Sequence, residues 1–333
     1  MSKKLISYQI VNKSGLNILP RYIQVLKKND IKILEETVGG DAPKDLIRVY
    51  EYGVTRRSNP AKWTKYIAKI GHKWYPNESI TEHLLTRVGN CFGIVIAESK
   101  IVYAENYIRF LSKHFHCNQQ ILDHGANILS SFMNEDNTKW IDDLEKQKSL
   151  REDINIESVF TAIKNVFPYE ANEIIDALLH MLLFDCLTGN NDRHYYNWGV
   201  ISHIKGQHKP YFSPVYDSAR GLLWNQSDEK VISLHKELNN PNNKQLEKYV
   251  VNSVPKISIP NNSSCNHFEL IEYLKNKKYL KDEHYKIWTN QKSIQKAIDL
   301  LEGEFKNLFI KERKELIKII LNKRFNKIVE ILK

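Results

Sequence analysis

Apolar residues along this chain follow two rhythms, and the change between them falls near residue 117. Upstream, short runs rich in β-branched and aromatic residues read as strands: LISYQIV, LIRVYEYGV, WTKYIAKIG, ESKIVYAEN and YIRFLSKHF. One segment among them, NESITEHLLTRVGNCFG, has the spacing of a helix. Downstream, apolar positions recur every three or four residues in IESVFTAIKNVF, ANEIIDALLHMLLFDCL, SIQKAIDLLEGEFKNLF and ELIKIILNKRFNKIVEIL. Two strand-like pieces, WGVISHI and KPYFSPVYD, interrupt them. The Asn- and Pro-rich segment 239–262 reads as a surface excursion. The pattern predicts an α+β protein with a small β-rich lobe, residues 1–116, and a larger helical lobe, residues 117–333.

The most polar stretch follows the most apolar one. ANEIIDALLHMLLFDCLTG reads as a buried helix ended by Gly189, and the next turn, NNDRHYYN, concentrates an Asp, an Arg, a His and three Asn. Asp192 and Asn197 are separated by the interval found in the catalytic loop of protein kinases, H-R-D-x-x-x-x-N. There the Asp faces the attacking hydroxyl and the Asn reaches the metal between the phosphates. Asp217, in SPVYDSARG after a strand-like YFSPVY, is placed to hold Mg²⁺ against ATP oxygens. Taken alone it would be as well explained by a turn.

Such a site also needs a lysine for the ATP phosphates and an acid to orient it. KWTKYIAKIG supplies Lys69 before the Gly71 turn, with Lys65 and Lys73 as competitors. The helix that follows carries Glu78 and Glu82 on one face, so that one of the two meets Lys69 while the other favours the helix N-terminus. We assign Glu78 to the nucleotide site. For the phosphate-covering loop, EYGVTRRSNPAKW offers Gly53 between two strands, whereas VGGDAPK offers Gly39 and Gly40 with no obvious strand after them; Gly53 to Lys62 is therefore expected to be the loop.

NNDRHYYNWGV followed by PVYDSARG resembles the N-x-DRH-x-x-N and P-x-YD signatures of the HipA-like serine/threonine kinases, the toxin kinases of bacterial toxin–antitoxin modules. The resemblance spans roughly Tyr66 to Leu223. It implies a two-lobed protein-kinase-like fold in which Asp192 is the catalytic base, Asn197 and Asp217 hold Mg²⁺, and Lys69 binds ATP. It further implies a protein substrate, such as a translation factor or tRNA synthetase, a role as toxin or phage-defence kinase, and a small DNA-binding antitoxin as a second partner. Fewer than seventy residues precede the ATP lysine, which matches a short form without the family's extra N-terminal subdomain. In short members a serine of the phosphate loop is autophosphorylated, a part that Ser58 or Thr55 would play here. The motif order is also similar to that of phosphoinositide kinases, which would imply a lipid or small-molecule substrate. A catalytically silent scaffold or nucleic-acid-binding module would tolerate loss of Asp192.

Composition narrows the class without changing this picture. With 42% hydrophobic and 26% charged residues the chain is an ordinary globular one. Cys91, Cys117, Cys186 and Cys265 are far apart, which argues against a zinc site or a disulfide framework; with no signal-peptide-like start, a cytoplasmic protein is expected. The net charge of +10 is spread along the chain, and the lysines of the last helix read as its solvated face, so neither nucleic acid nor a membrane is expected as a direct partner. His114 and His116 read as a strand face, His180 as a core histidine and His194 as a packing residue. No G-x-S-x-G elbow supports hydrolase chemistry.

Overall fold

The computed structural model describes Leu5 and residues 10–36, 44–240 and 244–333. Its first part holds a six-stranded sheet made of Gln24–Val25 (β1), Ile31–Ile33 (β2), Lys44–Val49 (β3), Thr64–Lys69 (β4), Ser99–Ala104 (β5) and Tyr107–Lys113 (β6), with helix Asn77–Cys91 (α1) between β4 and β5. The strand order is β1-β5-β6-β4-β3-β2, antiparallel except for the short β1–β5 pair. Alternation sorts side chains to the two faces. Ile101, Ile108 and Phe110 join the main core with α1, while Val102, Ala104 and Leu111 form a second, smaller cluster with Ile47, Val49 and Tyr66.

The rest of the chain is mainly helical. A three-stranded sheet, Gln120–His124 (β7), Gly199–His203 (β8) and Tyr211–Phe212 (β9), sits beside Gly125–Met133 (α2), Lys139–Gln147 (α3), Leu150–Asp153 (α4), Ile156–Val166 (α5) and Ala171–Thr188 (α6). Asp228–Lys236 (α7), Gln245–Val251 (α8), His267–Asn276 (α9), Asp282–Trp288 (α10), Gln291–Asp299 (α11) and Lys311–Leu332 (α12) complete it. α6 is apolar on nearly every side because it runs through the core, and Gly189, at φ +68°, ends it in the left-handed conformation.

Several expectations change. LISYQIV falls largely outside the described residues. The excursion 239–262 contains α8, whose Leu246 and Val250 are buried; its Asn and Pro residues flank the helix rather than break it. The helix expected through LLEGEFKNLF stops at Asp299 and continues as successive turns. The last helix is not only a solvated face. Arg313 and Arg324 are buried, the first on Asp228 at 2.7 Å and on the carbonyls of Leu223 and Gln226, the second on the Cys186 carbonyl at 2.6 Å. Both spend their charge on groups of neighbouring helices and loops.

Candidate active site

Lys69 is the last residue of β4 and pairs in register with Lys44, the first residue of β3. Its ammonium lies 2.8 Å from Glu82 Oε1, contacts Asp217 Oδ1 and sits over the Phe110 ring. Lys44 reaches the other oxygen of the same carboxylate, Oδ2, at 3.6 Å, with its own side chain 9% exposed. Two buried ammonium groups thus converge on one carboxylate. Burial alone would lower the Lys69 pKa, but Asp217 and Glu82 more than offset it and hold it above the ordinary lysine value. Burial alone would raise Asp217, yet Lys69 and Lys44 pull it below the usual carboxylate range. Asp217 has φ +53°, a left-handed conformation that costs a non-glycine residue energy and occurs preferentially at functional sites.

The turn from β4 into α1 explains which glutamate meets the lysine. A Cβ on Gly71 would stand 2.6 Å from the Glu78 Cβ, and the Gly71 N–H donates to Ser79 Oγ at 3.0 Å, so strand end and helix start are pressed together. Glu78 is consumed there, accepting the backbone N–H groups of Lys73 and Trp74 at 3.2 and 3.3 Å. Glu82, one helical turn later, is the residue that reaches Lys69.

Asp192 stands in the loop after α6 and is organised by Arg193, its neighbour. The buried Arg193 guanidinium forks onto both oxygens of Asp185 on α6, at 2.9 and 3.0 Å. It also donates to the carbonyls of Asn197 and Tyr216 and to Ser218 Oγ. One side chain therefore ties the Asp192–Asn197 loop to the residues on either side of Asp217. Asn190 Nδ2 donates to Asp185, and the Asp192 N–H donates to Asn190 Oδ1. Asn197 spends its Nδ2 on the Asp192 carbonyl at 2.8 Å, which leaves Oδ1 as the atom it can offer to a cation. Burial raises the Asp192 pKa, opposed by Arg220, whose Nη1 lies 2.8 Å from Oδ1. The donor set of Asp217 carboxylate and Asn197 amide oxygen is hard and oxygen-only, which suits Mg²⁺.

The HipA-like C-terminal domain matches residues 37–320. The chain belongs to that family. Among its relatives is the serine/threonine-protein kinase CtkA of Helicobacter pylori, 29% identical over 171 residues, a match covering 50% of this chain and 48% of that protein. The match thus spans about half the length of the curated relative. The crystal structure of the Helicobacter pylori proinflammatory kinase CtkA superposes with a TM-score of 0.69 at 19% identity, covering 90% of this chain and 94% of the other. HipA of Shewanella oneidensis, solved with HipB and operator DNA, gives a TM-score of 0.48 at 13% identity over 92% of this chain and 72% of the other. The expected α+β kinase fold is therefore that of this HipA-like chain.

Within this fold the expected nucleotide residues divide. Lys69, Asp192, Asn197 and Asp217 come together through direct contacts and through Arg193. Glu78 is not the lysine's partner, because its carboxylate caps the turn; Glu82 is. Gly53 and Ser58 lie at the wrong end of the hairpin. β3 and β4 pair from Lys44↔Lys69 at one end to Val49↔Thr64 at the other, so the loop 50–63 is roughly 17 Å of strand away from Lys69. The end of β3 that lies beside Lys69 is the one that carries Lys44, which follows the β2–β3 connection; residues 37–43 of that connection, Gly39 and Gly40 among them, lie outside the described residues. Lys44 was missed, though its place between Gly39-Gly40, four positions before it, and the apolar run that begins at Leu46 was a usable signal.

Other expected readings concern histidines. His194 accepts the Tyr196 N–H on Nδ1 and packs beside the Tyr196 ring, as a packing residue would. His114 and His116 lie just beyond the end of β6 rather than on a strand face, their rings 4.3 Å apart and tilted by 39°, and burial lowers both pKa values, His114 to about 4. Among the described residues the one three-residue cluster with metal-like spacing is Asp176, His180 and His284. There His284 Nδ1 accepts the Lys281 N–H and His180 Nδ1 accepts Trp288 Nε1–H, so the Nδ1 lone pair of each ring is already engaged. No helix among the described residues is long and apolar enough to cross a membrane.

Proposed function

We propose that this chain is an ATP- and Mg²⁺-dependent serine/threonine protein kinase of a bacterial cell, acting on a host protein as a toxin or phage-defence kinase does. The observation that carries the reading is the convergence of Lys69, Glu82 and Asp217 beside an Asp192–Asn197 loop held by Arg193. Its family and the serine/threonine-protein kinase CtkA among its relatives support the same chemistry. Asp192 accepts the proton of the attacking hydroxyl, which frees the oxygen to bond the γ-phosphorus as the bond to the β-phosphate oxygen breaks. Lys69, held by Glu82, and Lys44 orient the phosphate chain. Asp217 and Asn197 would hold Mg²⁺, which supplies neutralisation of phosphate charge.

The test is transfer of labelled γ-phosphate, with Mg²⁺, into a bacterial lysate and into the protein itself. Label on serine or threonine of a protein, absent with Asp217→Asn, supports the reading; label only in lipid or small metabolites would replace it with a small-molecule kinase. Binding of ATP without transfer in wild type would favour a silent scaffold.

Two further outcomes follow from the site. Lys69→Met and Lys44→Met are each expected to weaken Mg–ATP binding roughly tenfold, since each removes a charge-assisted contact, while adenosine binding stays unchanged. Calorimetry checks this, and equal loss for adenosine would mean that the site had collapsed. The pH profile is the second. Asp192 must be ionised to accept a proton, and burial raises its pKa, so kcat/KM should fall on the acid side above the ordinary aspartate range. Arg220 favours the carboxylate, so Arg220→Gln should move that limb to higher pH; a limb that stays or moves down would remove Asp192 as the base.

A further inference from the structure

An apolar groove of about 410 Å³ opens between α2, α5 and the start of α4's following turn, away from the nucleotide site. Leu129 and Ile154 form its buried floor, Phe132 and Trp140 its half-buried walls, and Met133, 54% exposed, its rim. A surface methionine beside aromatic walls is a costly arrangement to leave in water unless something covers it. The polar lining has one sign of charge. Asp153 and Glu157 line the groove, and no Lys or Arg does.

That sign is local. Residues 134–157, which supply Trp140, Asp153, Ile154, Asn155 and Glu157 of the lining, hold eight acidic residues against four basic ones, in a chain whose net charge is +10. The groove also stands next to the chemistry. α3 presents Trp140 to the groove, while its Asp142 accepts the Tyr196 hydroxyl of the Asp192 loop at 2.9 Å. Further along α3, Glu145 pairs with Lys256 at 2.7 Å. One helix, on the order of 10 Å across, separates the groove from the loop that carries Asp192. α2 begins at the same loop, with the Ala126 N–H on the Tyr195 carbonyl and the Gly125 N–H on the Trp198 carbonyl.

We propose that this groove docks a segment of the protein substrate that carries a large apolar side chain beside Lys or Arg. The apolar side chain fills the space between Phe132 and Trp140, and the basic neighbour meets Asp153 and the acidic surroundings. The segment is a docking site apart from the phosphorylated hydroxyl, so it confers choice of protein without touching the reacting atoms. The inference rests on the protein-kinase reading above.

The experiment uses two fluorescent twelve-residue peptides, one alternating Leu with Arg and Lys, the other alternating Leu with Asp and Glu. Binding is followed by anisotropy against wild type, Met133→Lys and Asp153→Lys, with thermal unfolding to show that the variants remain folded. The basic peptide should bind wild type, lose roughly tenfold or more in affinity with either variant, and compete with phosphorylation of lysate proteins. Mg–ATP binding should be the same in all three proteins. No binding of the basic peptide, equal binding of the acidic one, or binding that ignores both variants overturns the docking groove. Loss of Mg–ATP binding in wild type would instead overturn the kinase reading, so the two failures are distinct.

Discussion

Asp192→Asn is expected to lower the rate of γ-phosphate transfer by about 10²–10⁴-fold, the range for removing a positioned general base, with Mg–ATP affinity unchanged. The substitution keeps the loop. Asn can still accept from Arg220, the residue 192 N–H still donates to Asn190, and the residue 192 carbonyl still accepts Asn197 Nδ2. It is not expected to destabilise the fold. Burial raises the Asp192 pKa, so at neutral pH the ionised carboxylate costs more in the folded chain than in the unfolded one, and a neutral amide removes that cost. Single-turnover transfer measured beside thermal unfolding checks both halves. Transfer retained at the wild-type rate would show that Asp192 is not the proton acceptor.

Arg193→Met should have the largest effect on stability, a loss of roughly 3–5 kcal/mol, because it leaves Asp185 as an uncompensated buried charge. It also releases the carbonyls of Asn197 and Tyr216, so the segments that carry Asn197 and Asp217 lose their common anchor. Arg193→Lys should rescue little, since a point charge cannot fork onto Asp185 and reach Ser218 as well. Pairing Arg193→Met with Asp185→Leu should return much of the stability and none of the transfer activity. Urea unfolding separates these cases. A wild-type midpoint for Arg193→Met would mean that the network contributes no more than surface pairs do.

Much of the fold could be read from the sequence because periodicity reports burial directly. α6 is apolar on nearly every side and stops at Gly189, and both features were visible as an unbroken run before a glycine. The Asp192-to-Asn197 interval was legible for a different reason: it is the Asp-to-Asn spacing of the protein-kinase catalytic loop, in which one short turn serves both a hydroxyl and a cation. The same local logic failed for α8, whose Asn- and Pro-rich flanks hid a helix that needs α12 beside it to bury Leu246 and Val250. It failed for Arg313 and Arg324 too, since a charged residue at helical spacing looks solvated until the helices that bury it are known.

What the sequence determined by itself was the order of the lobes, the identity of Lys69, Asp192, Asn197 and Asp217 as the polar residues to watch, and the choice of Glu78 or Glu82 as two candidates. Only the tertiary structure decided between those glutamates, because the answer depends on how closely Gly71 presses strand against helix. Only the strand register showed that Gly53 and Ser58 belong to the far end of the β3–β4 hairpin and that Lys44 shares Asp217 with Lys69. Spacing along a chain fixes which residues share a face, whereas which end of a sheet meets which loop is set by long-range pairing, and no local pattern encodes it.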